Sequence, residues 1–237
     1  MMDTEGKVLH MRVLFNEEMQ QIADDLDTMA VAVKASIDGA GKALLENDID
    51  AAQSVIDGDL KIDALEASVI DECVKMLAKQ SPVATDLRTV VSTLRIASTF
   101  ERMGDLARHI AETARRAYPN SAITPSMRDV FTDMQKFDSE AASEIIDILK
   151  TRDEQKAEQL IVNDARLDNM HTKTFDIINA DSWDGDRQQT IDAVLIARFY
   201  ERIGDHAVGV ARRIVYMVSG FDPSKDPTPV LTSGIDE

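Results

Sequence analysis

A five-residue signature occurs twice in this chain, 100 positions apart. It reads Glu101-Arg102-Met103-Gly104-Asp105 and then Glu201-Arg202-Ile203-Gly204-Asp205. Both copies lie in long proline-free stretches with apolar residues at 3–4 spacing, so both are predicted to be helical. Positions i and i+4 of a helix stack on one face. Each copy therefore places two carboxylates about one turn apart, an arrangement that costs a few tenths of a kcal/mol (roughly 0.2–0.5) unless a positive group sits against it.

The duplication extends beyond the signature. Between residues 94–114 and 194–214 eight positions are identical at +100, among them Ile96, Ala97, Ala107 and Ala111 with their counterparts. Upstream the register is +105, where Leu44, Asp48, Ala52, Ile56, Asp59 and Asp63 match Leu149, Asp153, Ala157, Ile161, Asp164 and Asp168. The five-residue difference is expected around Lys79–Val83 of the first half, with a shorter connection in the second. Two half-chains of similar length, each with an acidic helix followed by a Glu-Arg-x-Gly-Asp helix, indicate an internal duplication of small bundles.

The reading along the chain is all-α: six helices in two tandem three-helix bundles, over residues 1–120 and 121–220, then an irregular tail over 221–237. The expected helices run from about Val8 to Glu46, Ile49 to Lys79, Ser81 to Arg116, Pro125 to Lys150, Glu154 to Asn179 and Arg187 to Val218. Asp48 is a good N-cap for the second helix. Ser81-Pro82 offers an N-cap with proline at the first helical position, and Gly220 a helix stop. Aromatic residues are only 5% of the chain, which favours aliphatic helix packing over a sandwich or barrel. Heptads are not sustained, so bundles are favoured over one long coiled coil.

The formal charge of −17 excludes binding to nucleic acid or anionic lipid by bulk electrostatics and suits cations and basic partner surfaces. The longest apolar runs are five residues, as in Ala193–Ala197, far short of a membrane span. A cytoplasmic, soluble protein without membrane insertion is expected. Cys73 is the single cysteine; it has no CxxC partner and reads as a helix residue near the core.

The second helix of each half carries its own acidic stripe at i, i+4, i+7: Asp59, Asp63 and Glu66, then Asp164, Asp168 and His171. Glutamate and histidine are both metal ligands. Set against Glu101 and Asp105, or Glu201 and Asp205, each stripe would gather four or more ligands suited to iron, manganese, magnesium or zinc. The bland alternatives are solvated acidic faces, with Arg102 and Arg202 making ordinary salt bridges. Gly104 and Gly204 each cost roughly 1 kcal/mol against alanine in a helix, and their place between two acids suits close approach of another helix or ligand. His206 stands beside Asp205 as a ligand or a surface residue. There is no phosphate loop, HExxH or Gly-x-Ser-x-Gly, and Glu-x-x-His, which a ferritin-like di-iron enzyme needs on two helices, has only Asp168-x-x-His171 as a near match. No enzymatic activity is expected.

The doubled Glu-Arg-x-Gly-Asp motif, the segment Ser81–Arg88 (SPVATDLR) before the first copy and Tyr200–Ala207 (YERIGDHA) resemble the PhoU family over nearly the whole chain, from about Met11 to Gly220. The resemblance implies two three-helix bundles side by side, metal clusters or single cations on the acidic motifs, and frequent dimers. It implies a negative regulator of phosphate transport and homeostasis, acting in the cytoplasm between the phosphate ABC transporter and a two-component histidine kinase. The metal motif carries over to Glu101, Asp105, Glu201 and Asp205, and the acids of the preceding helix to Asp59, Asp63, Asp164 and Asp168. The sequence departs from the family pattern at Leu106 and at Gly209-Val210. Alternatives are a di-metal carboxylate enzyme in a helical bundle and a helical interaction module that binds no metal.

Overall fold

A computed structural model of the chain describes residues 4–162 and 165–221, with side chains described from 12 to 162 and from 166 to 221. Asp164 and the tail over 222–237 lie outside the described residues. The described chain is helical throughout: α1 (Thr4–Glu46), α2 (Ile49–Gln80), α3 (Ala84–Ala117), a 3-10 turn at Pro125–Met127, α4 (Arg128–Thr151), α5 (Glu154–Val162), α6 (Ala165–Asn179) and α7 (Arg187–Ser219). The fifth expected helix, from about Glu154 to Asn179, spans α5 and α6.

α1, α2 and α3 pack together as the first half, and α4, α5, α6 and α7 as the second. The halves meet where α1 lies on α4 and α3 on α7. One continuous apolar cluster runs through both, from Ile22, Met29 and Val33 through Phe100 and Ile110 to Phe131, Ile145, Ile196 and Ile214. Burial of this aliphatic surface is the main source of stability, at about 25 cal/mol per Å2. Polar links fix the register between halves. Gln135 Nε2 donates to the Ile37 carbonyl at 3.0 Å, Ser139 Oγ donates to Asp38 at 2.6 Å, and Arg116 pairs with the buried carboxylate of Asp192.

The helix ends follow local chemistry. Asp48 caps α2 by accepting from the Ala51 amide at 2.9 Å. Asp186 caps α7 with a reciprocal box: its carboxylate accepts from the Gln189 amide at 2.8 Å, and the Gln189 side chain accepts from the Asp186 amide at 3.1 Å. Gly220 closes α7 in the left-handed region, φ 78°. Ser81 departs from expectation. It is not the N-cap of α3 but the C-cap of α2, at φ 47°, and α3 starts at Ala84 behind Val83. A residue before proline is steered out of the right-handed helical region, so Ser81 ends one helix instead of opening the next.

The five-residue register change also lies elsewhere than expected. The α6–α7 connection (180–186) is longer than the α2–α3 connection (81–83), and the shortening falls in the helical arm, since α2 has 32 residues and 154–179 spans fewer. Replacing Asp186 with alanine removes the carboxylate arm of the capping box and leaves the backbone amide that donates to Gln189. It is expected to cost about 1 kcal/mol and to lower the melting temperature by about 2–4 °C, as read by thermal unfolding.

Candidate functional site

In the first half the two acidic stripes do face each other, and Gly104 is the reason α2 and α3 come close enough. A Cβ on Gly104 would stand 2.9 Å from Ile62 Cδ1 and 3.6 Å from Asp59 Oδ1. Asp59 is buried, Glu101, Asp105 and Glu66 are half-buried, and Asp63 is exposed. Arg108, one turn beyond Asp105, lies among them. Its Nε is 2.6 Å from Asp59 Oδ2, its Nη2 is 2.7 Å from Asp105 Oδ1, and its Nη1 is 2.9 Å from Glu112 Oε1. Ser98 Oγ donates to Glu66 Oε1 at 2.7 Å.

One guanidinium does not balance this set. Burial pushes the Asp59 carboxyl above its usual range, and the charges of Asp105 and Asp63 add to that against the pull of Arg108. Glu101 is pushed up first by burial and then by Asp105, Glu66 and Asp63. Arg108 in turn is held in its charged form, first by its hydrogen bond to Asp105. Five oxygen-donor side chains whose repulsion Arg108 offsets only in part suit a hard cation. By donor chemistry the first half suits a metal, but among the described residues no three of its acids are grouped around one point, and Arg108 occupies the ground between Asp59 and Asp105.

The second half is built differently. The counterpart of Arg108 is Val208, which is buried. Glu201 is itself buried, and Arg198 Nη1 donates to both of its oxygens at 2.5 Å. Asp205 and Asp168 are exposed. His171 stands edge-on to Phe175, with ring centroids 5.2 Å apart. Among the described residues no three His, Cys, Asp or Glu side chains are grouped around one point as metal ligands would be. Asp168 and His171 on α6 and Glu201 and Asp205 on α7 thus form no assembled ligand set, as is also true of the first half. His206 is half-buried, and its imidazole is held below its ordinary value by burial and then by Arg202 and Arg102, against Asp205.

Arg108, Arg198 and a third feature escape the sequence motifs. Burial along α4 follows burial along α1 at +105: Ile22, Leu26, Met29, Val33 and Ile37 match Met127, Phe131, Met134, Asp138 and Ala142. Asp138 thus occupies the place of Val33, and Tyr200 that of Phe100 at +100. Asp138 is 0% exposed. Both of its oxygens and the Tyr200 hydroxyl lack a hydrogen-bond partner among the described residues. Its Oδ1 lies 3.5 Å from the position of a Cβ on Gly204, which would also stand 2.2 Å from Leu167 Cδ2. The Phe131 and Tyr200 rings are 6.2 Å apart. Burial pushes the Asp138 carboxyl well above the usual carboxylate range, and burial, then Asp138, pushes the Tyr200 phenol up.

Cys73 is buried as expected, and burial raises its thiol to about 12, so it is unreactive.

A carboxyl whose folded-state value is raised holds its proton more tightly in the folded chain. Its contribution to stability is full below the ordinary carboxylate range and is lost as pH rises through the raised value. Asp138→Val, which restores the residue of the first half, is therefore expected to stabilise the protein near pH 7 by about 1–3 kcal/mol. The gain should shrink toward pH 4, where the carboxyl is protonated in both states and only the cost of its unpaired oxygens remains. Thermal melts of both proteins across this range check it, and a gain independent of pH would contradict it.

Comparison with known proteins matches this two-fold architecture. The sequence profile of the PhoU domain matches the chain twice, over residues 26–114 and 131–214. The phosphate-specific transport system accessory protein PhoU homolog 1 of Mycobacterium tuberculosis (strain ATCC 25618 / H37Rv) is 36% identical over 216 residues, 91% of this chain and 98% of that protein. The homolog 1 of Mycobacterium leprae (strain TN) is 32% identical over 219 residues, 92% of this chain and 99% of that protein. The crystal structure of PhoU from Pseudomonas aeruginosa superposes with a TM-score of 0.80 at 25% identity, covering 87% of this chain and 100% of that one. The phosphate transport system regulatory protein PhoU from Streptococcus pneumoniae shares the fold, with a TM-score of 0.78 at 22% identity over 88% of this chain and 98% of that one. With a matching domain in each half and relatives aligned along nine-tenths of its length, the chain belongs to the PhoU family.

Proposed function

We propose that this chain is a regulatory accessory protein of phosphate uptake and of the phosphate-starvation response. The observation that carries the reading is the alignment of both halves, over 91% of the chain, with relatives named as accessory proteins of phosphate-specific transport. An accessory role in phosphate transport is the coarse part of this reading. The finer part is that the chain acts as a metal-binding adaptor. It is a cytoplasmic homodimer that meets both the phosphate ABC transporter and a two-component histidine kinase, and it restrains the starvation response when phosphate is plentiful. No catalytic step belongs to this role. Among the described residues no helix is long and apolar enough to cross a membrane, so contact with the transporter is made from outside the bilayer.

Donor chemistry and the less complete neutralisation of its acids favour a cation at the first half before the second. Asp59, Glu101 and Asp105 would hold it, with Asp63 and Glu66 alongside. Bound there, a metal supplies positive charge that neutralises the repulsion between α2 and α3. Those helices would then be fixed at their present distance, which gives a partner protein a rigid surface to read. In the second half Glu201, Asp205, Asp168, Asp164 and His171 are the corresponding groups, and Arg198 already neutralises Glu201.

The double variant Asp105→Ala with Asp205→Ala tests the role in cells. Both side chains are at least partly exposed, so the fold should survive, as judged by helical circular dichroism. Phosphate-responsive genes are expected to be expressed in phosphate-rich medium. Normal repression with the folded variant would contradict the reading.

A further inference from the structure

The strongest feature outside the acidic faces is a basic cleft of about 650 Å3 between α3 and α7, floored by Ile70 of α2. Arg95 and Arg102 line it from α3, and Arg212 and Arg213 from α7, with His206 at its side. The chain has 43 acidic and 26 basic residues, so an arginine here has every opportunity to find a carboxylate. Among the described residues, the arginines that do so are Arg108, Arg116 and Arg198. The side-chain hydrogen bonds from other arginines come from Arg88, Arg115 and Arg152. None of the four cleft arginines is in either group. Four permanently charged guanidiniums therefore face one concavity without a partner and repel one another.

The hydroxyls of the cleft are not free to help. Thr99 Oγ1 donates to the Arg95 carbonyl at 2.8 Å, and Ser98 Oγ donates to Glu66. The open donors are the guanidinium N–H groups, approaching from two opposed helices. Such planar forks match the oxygen pairs of a phosphoryl group. The volume falls within the range of small-molecule sites, about 300–1,000 Å3, which favours a small anion over a protein segment.

We propose that the cleft between α3 and α7 binds a phosphoryl dianion, supplied by inorganic phosphate or by a small phosphorylated metabolite. The site is distinct from the acidic faces and does not depend on the metal reading. Arg102 of the repeated signature belongs to this cleft, and its neighbours Glu101 and Asp105 to the acidic face.

Calorimetric titration of the full-length protein at matched ionic strength tests it, with inorganic phosphate, ATP and sulfate as probes. Saturable binding of phosphate or ATP, tighter than sulfate, is the expected result. Phosphate alone identifies the free ion as the source, and ATP alone a phosphorylated metabolite. Arg102→Gln with Arg213→Gln should weaken binding by at least about tenfold. Gly209→Leu is a second variant that leaves every arginine in place. Gly209 lines the cleft, and an added Cβ there meets no atom within 4 Å, so the fold accepts the side chain while the cleft loses space. It should also weaken binding. Absence of saturable binding at millimolar anion, equal affinity for sulfate, or affinity unchanged in the folded Gly209→Leu variant would overturn the proposal.

Discussion

The close approach of helices at Gly104 and Gly204 sets how near the acidic helix of each half comes to its Glu-Arg-x-Gly-Asp helix. A side chain at either position would run into Ile62 or Leu167. Glycine in a helix interior costs roughly 1 kcal/mol against alanine, and the return is a crossing at which Asp59 faces Asp105 and Arg108, and Glu101 faces Asp63 and Glu66. The same crossing removes water from carboxylates that repel one another, so the first half is left with charge that Arg108 offsets only in part. The second half uses the same crossing but resolves its charge differently. Val208 replaces the arginine, Arg198 pairs with Glu201 one turn earlier on α7, and a carboxyl from α4, Asp138, is buried beside Gly204. The duplication preserved the backbone contact and let its electrostatics diverge.

Charge is also divided around α3. Glu101, Asp105 and Arg108 look toward α2, whereas Arg95 and Arg102 look toward α7. A helix with 3.6 residues per turn carries both sets without conflict. In a chain of net charge −17, this leaves an acidic face suited to a cation and a basic cleft suited to an anion on one helix. A bound ion on either side changes the local field on α3, one of the two helices through which the first half packs on the second. That gives a physical route by which ligand occupancy would reach a partner surface.

Much of this was legible in the sequence. The spacing of apolar residues located the helices, because long amphipathic segments with few aromatics have few other ways to bury their surface. Asp48 and Gly220 marked helix ends because their chemistry is local. Ser81 was misleading because its neighbour Pro82 acts on both helices at once, ending α2 and delaying α3. The facing of the Asp59 and Asp63 stripe with the Glu101 and Asp105 stripe was visible from two i+4 patterns and one glycine. Arg108 and Arg198 were not, since either could have pointed to solvent, and only packing decides which carboxylate each one meets. Asp138 was hidden because nothing in its own sequence surroundings marks it. It stands out only once burial aligns it with Val33.

The central claim is that the first-half acidic face holds a cation. Its most direct test is a crystal structure of the full-length protein grown with manganese, with anomalous scattering measured at the manganese edge. A peak between α2 and α3 within coordinating distance of Asp59, Glu101 and Asp105, with Arg108 moved aside, is the predicted result. A well-ordered first half with Arg108 still bridging Asp59 and Asp105, and no anomalous peak beside them, would contradict it.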